Sequence, residues 1–86
     1  MEIENFIDRY FLRAEEIYIS RISSAKTIEE LDNITSLCFK TLHRFESKFN
    51  VISNTAYYEK KKCNFVVNIL YEEYMKLECL NLTNKK

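Results

Sequence analysis

His43 is the one histidine in this sequence, and its neighbours decide what chemistry an imidazole there could do. Placed on a helix at 100° per residue, it stands about 140° from the centre of its segment's apolar stripe. Its companions at helical spacing are Phe39, Lys40, Glu46 and Ser47. A general base needs an orienting partner and a nearby nucleophile, and the pattern offers neither, so His43 reads as a solvated surface residue. Cys38, Cys63 and Cys79 are odd in number, with no Cys-x-x-Cys spacing and no histidine at ligand distance. Cys38 and Cys63 fall on expected inner faces, where a thiol acts as a small hydrophobe whose pKa rises with burial. Cys79 lies off the stripe and is the candidate reactive thiol. Adjacent carboxylates such as Glu15 with Glu16 and Glu72 with Glu73 point in different directions on a helix and read as solvated. We therefore expect no catalytic residue, no metal ligand and no cofactor.

The elements that hold these residues follow from an absence. None of the 86 residues is glycine or proline, so the usual residues of hairpins and left-handed caps are missing. Long helices with short polar joints remain. Ile3, Phe6, Ile7, Tyr10, Phe11, Ala14, Ile17, Tyr18, Ile22 and Ala25 form one stripe at helical spacing. Thr27-Ile28-Glu29-Glu30 is a capping box that starts a second helix, with Leu31, Ile34, Cys38, Leu42, Phe45, Phe49 and Ile52 on its apolar side. Ser53 or Asn54 can cap a third, whose principal face we assign to Ala56, Cys63, Val66, Val67, Leu70, Tyr74 and Leu77. The fold class is all-α, an antiparallel three-helix bundle with helices near 3–24, 28–50 and 54–80. One helical domain over 1–82 and a polar tail over 83–86 account for the chain.

The amino terminus lacks a cationic stretch followed by an apolar run, and no segment has the length of a membrane span, so we expect a soluble, cytoplasmic protein. Thirteen lysines and arginines balance thirteen aspartates and glutamates. Their distribution is uneven: between Lys40 and Lys62, Lys40, Arg44, Lys48, Lys60, Lys61 and Lys62 oppose only Glu46 and Glu59, a net of plus four. An antiparallel hairpin gathers these cations at one end, as a site for nucleic acid or an acidic partner.

Apolar residues outside the three stripes call for a second explanation. Leu12 and Ile19 share a line about 150° from the first stripe. On the third helix, Tyr58, Phe65, Ile69 and Leu80 make a second line and Tyr57, Tyr71, Met75 and Leu82 a third. A helix apolar nearly all round is buried on more than one side, here against a partner or a second copy, with Leu12, Ile19, Tyr58, Phe65 and Ile69 as interface residues. The expected function is a small binding protein that docks helix surfaces onto a protein or nucleoprotein partner, as a homo-oligomer. Size and a composition rich in isoleucine, asparagine and lysine suit a phage or mobile-element regulator or an inhibitor of a host machine. The alternative is a nucleic-acid-binding accessory subunit that uses the basic end.

Overall fold

With no glycine to supply a left-handed joint, every chain reversal is built at negative φ, and no described residue departs from this. The structure is a computed structural model that describes residues 2–84. Four helices hold all but the short joints of those residues: α1 (Glu2–Ser24), α2 (Ile28–Lys48), the single turn α3 (Asn50–Ser53) and α4 (Ala56–Asn84). Thr27 caps α2 as expected, while the returning carboxylate of the box reaches one residue beyond the cap. Thr27 Oγ1 accepts from the Glu30 amide at 3.0 Å, and the Glu30 carboxylate reaches back to the Lys26 amide at 3.3 Å. The second joint differs from expectation. α2 stops at Lys48, α3 inserts one turn, and Thr55 rather than Ser53 or Asn54 caps α4, its Oγ1 accepting from the Tyr58 amide at 3.2 Å. Ser53 instead donates to the Asn50 carbonyl within α3. At its far end α4 continues through Asn84, past the fraying expected near Asn81; Lys85 and Lys86 of the expected tail lie outside the described residues.

The three long helices run up, down and up. Asp8 meets Lys61, Glu15 meets Asn68, and the Ser23 carbonyl meets Lys76, all at one sequence offset of 53, so α1 and α4 are parallel and in register. Tyr10 stacks on Phe45 while Tyr18 bonds Thr41, and Glu46 meets Lys62 while Thr35 bonds Glu73, so α2 is antiparallel to both. The resulting rod is 52 Å long and 19 by 16 Å across.

Ile7, Phe11, Tyr18, Ile22 and Ala25 enter the core from α1 and the first joint, and Leu31, Cys38, Leu42 and Phe45 from α2, as their stripes imply. On α4 the assignment of faces reverses. Tyr58, Phe65, Ile69 and Leu80 are buried, whereas Cys63, Val67, Leu70 and Tyr74 of the expected principal face are exposed. The aromatic packing supplies the reason. Phe11 lies 5.3 Å from Tyr58 and 5.2 Å from Phe65 between ring centroids, and Tyr58 stacks on Phe45 at 5.9 Å with 7° between planes. The polar neighbours of that line agree with it: Lys61, Lys62, Asn68, Glu73 and Lys76 stand on its flanks and each finds a group on α1 or α2.

Two truncations check this rotation. Phe65→Ala removes a ring from the core and lowers unfolding free energy by about 3 to 5 kcal/mol, while Val67→Ala, on the outer surface, stays within about 0.5 kcal/mol of wild type. Urea denaturation followed by circular dichroism measures both, and the reverse ranking would put the other face of α4 inside.

Candidate docking face

Two groups of charged and polar residues at the joint end of the bundle come together around carboxylates. Glu46 on α2 is the first hub. The hydroxyl of Tyr58, which has 0 % exposure, donates to Glu46 Oε2 at 3.0 Å, and Lys62 Nζ approaches the same oxygen at 2.7 Å. His43 Nδ1 stands 3.7 Å from Glu46 Oε1 on the solvent side. Burial pushes the Glu46 carboxyl up, but the hydrogen bonds from Lys62 and Tyr58, with the Lys62 charge, outweigh it and hold the group below its usual value of 4.5. Burial, and then the bond to Glu46, push the Tyr58 phenol far above its ordinary range. The second hub is Asp8, held below its ordinary value by the hydrogen bond from Tyr57 at 2.7 Å, with Lys61 adding its charge at 3.4 Å. Lys61 also lies over the Tyr57 ring at 5.4 Å.

These hubs change the expected basic end. Lys61 and Lys62 engage carboxylates of the bundle, leaving Lys40, Arg44, Lys48 and Lys60 exposed. Lys40, Arg44 and Lys48 form an i, i+4, i+8 row on the outer surface of α2, with Lys48 beside the Phe49 ring at 5.6 Å. Lys60 stands apart on α4. The six cations expected at one site are therefore divided among a row, an isolated position and two internal ion pairs.

The residues expected at a protein interface divide as well. Tyr58, Phe65 and Ile69 are core residues of a single chain and present no docking surface, because the aromatic cluster with Phe11 and Phe45 already covers them. Ile19 is half-buried against the core, and Leu12 is exposed beside shallow hollows along α1. The outer face of α4 carries the larger surplus. Val67, Leu70, Tyr71 and Tyr74 occupy positions i, i+3, i+4 and i+7; Val67 is 64 % exposed and each tyrosine 59 %. Cys63 and Met75 flank this stripe, and both are exposed. Cys38 is buried as expected, and desolvation pushes its thiol up to about 11. Of the carboxylates expected to be solvated, Glu15 accepts from Asn68 at 2.8 Å and Glu73 from Thr35 at 3.0 Å. Their interhelical partners lie 53 and 38 residues away, beyond any local pattern.

No protein-family model, curated protein or solved structure matches this chain. Among the described residues no helix is long and apolar enough to cross a membrane, and no three His, Cys, Asp or Glu side chains are grouped to hold a metal ion.

Both hub carboxylates have folded-state pKa values below their unfolded ones. Each favours the folded state at pH above the unfolded value, and that advantage is lost as pH falls through the folded value. Thermal stability is accordingly level from neutral pH to about pH 5 and declines below about 4.5. Glu46→Gln lowers stability at neutral pH by about 1 to 2 kcal/mol and makes the acid decline shallower, as melts at stepped pH will record.

Proposed function

We propose that this chain is a small non-enzymatic binding protein that docks the outer face of α4 onto a protein partner. The observation that carries this reading is the stripe Val67, Leu70, Tyr71 and Tyr74, exposed on a helix whose opposite face already completes the core. Together these side chains present on the order of 400 Å² of surface, as large as the principal apolar patch of an ordinary monomer. Tyrosine suits such a place, since its ring contributes contact area while its hydroxyl remains hydrated before binding. A role as regulator or inhibitor of a larger machine needs no catalytic group, and such a role is open to a protein that acts through its surfaces.

The second reading, contact with nucleic acid, draws on the row of Lys40, Arg44 and Lys48. Three phosphate contacts on duplex DNA give a log-log salt slope of about −3. The division of the original six cations among separate positions supports the protein partner over this alternative.

Affinity capture from cells that encode the chain, with nuclease present, separates the two. Val67→Glu and Tyr74→Glu abolish capture of the partner, and the triple variant Lys40→Gln, Arg44→Gln, Lys48→Gln retains it. Labelled oligonucleotides at low salt give no anisotropy change at micromolar protein. Loss of capture in the triple variant alone, with salt-sensitive oligonucleotide binding, would replace the protein-docking reading with the nucleic-acid one.

A further inference from the structure

The charges at the two ends of the α4 stripe bear on what covers it. Lys60 and Glu78 are eighteen residues apart, five turns of helix, so they lie on one line about 27 Å from end to end. Both are exposed, and among the described residues neither belongs to an ion pair within the chain. Between them the outward positions are uncharged: Cys63, Asn64, Val67, Leu70, Tyr71, Tyr74 and Met75. The stripe is thus apolar through its middle, cationic at one end and anionic at the other. A surface of that kind is complementary to itself when reversed.

We propose that α4 pairs with the α4 of a second copy in antiparallel orientation, so that Lys60 of each copy meets Glu78 of the other and the Val67, Tyr71 and Tyr74 faces close between them. This identifies the partner of the docking face and rests on the reading of that face given above. The register follows from the charges. A twofold axis beside position 69 brings the ends together and sets Val67 of each copy level with Tyr71 of the other near the middle of the seam. A parallel pairing instead opposes Lys60 to Lys60 and Glu78 to Glu78. The zero net charge of the chain leaves no long-range repulsion to oppose self-association. Covering the stripe and its flanks on both copies removes roughly 1,000 Å² from water, at the lower limit for a specific interface and in the size class of transient, reversible associations.

Sedimentation equilibrium of the full chain, from low micromolar to hundreds of micromolar, tests the pairing. Wild type shifts from monomer to dimer mass across that range. Tyr71→Glu remains monomeric with an unchanged helical circular dichroism spectrum. Lys60→Glu and Glu78→Lys each weaken the dimer by about tenfold, because each sets like charges together at both ends. An equimolar mixture of these two variants recovers wild-type affinity, since every end then meets its opposite. A wild type that is monomeric throughout overturns self-pairing, and the capture experiment with Val67→Glu then decides separately whether the face docks another protein. A dimer that survives Tyr71→Glu, or a mixture that fails to recover, overturns the antiparallel α4 seam.

Discussion

The phenol of Tyr58 is the polar group that this bundle has to accommodate, and its bond to Glu46 constrains the rest. A buried hydroxyl without a partner costs about 1 to 3 kcal/mol, a large part of what a domain this small can lose. Glu46 Oε2 satisfies the hydroxyl from α2 while Phe11 and Phe45 pack the ring from α1 and α2. Only a narrow range of rotations of α4 meets both demands. Once Tyr58 is inward, Phe65 and Ile69, seven and eleven residues along, are inward by helical periodicity, and Val67, Tyr71 and Tyr74 are outward. The surplus apolar face is thus a consequence of the interior.

Charges along the seams set the axial register. Asp8, Glu15 and the Ser23 carbonyl each bind a group on α4 at a common offset, and Thr35 with Glu73 and Glu46 with Lys62 fix the opposed register of α2 against α4, each partner on one helix stepping back as the other steps forward. Each contact is partly exposed and individually weak, so together they select one alignment of α4 among several of similar apolar burial more than they add stability. They also draw Lys61 and Lys62 away from any external ligand. The α2 row and the two ends of the α4 stripe are among the charges that stay outward and available to a partner.

The three long helices, the first joint and most of the inner faces of α1 and α2 were legible in the residues, although Ile3, Phe6 and Ile17 of the first stripe stay exposed and the turn α3 was not foreseen. The absence of glycine and proline confined the chain to helices and to joints at negative φ, and Thr27 with Glu30 marked a start that depends on four consecutive residues. Ile7, Phe11, Leu31 and Cys38 sit in stripes bordered by charged residues, so a period of 3.6 had one solution. α4 had no such border. With apolar residues at nearly every angle, its periodicity favoured no side, and the line through Val67 and Leu70 was as good a core as the line through Phe65 and Ile69. Tertiary structure made that choice, because the rings of Phe11 and Phe45 and the carboxylate of Glu46 belong to other helices. The partners of Lys61, Lys62, Glu15 and Glu73 were hidden for the same reason, since a pairing across helices leaves no trace in local spacing. Sequence determined what each helix could bury, and packing decided which face of α4 was left for something else.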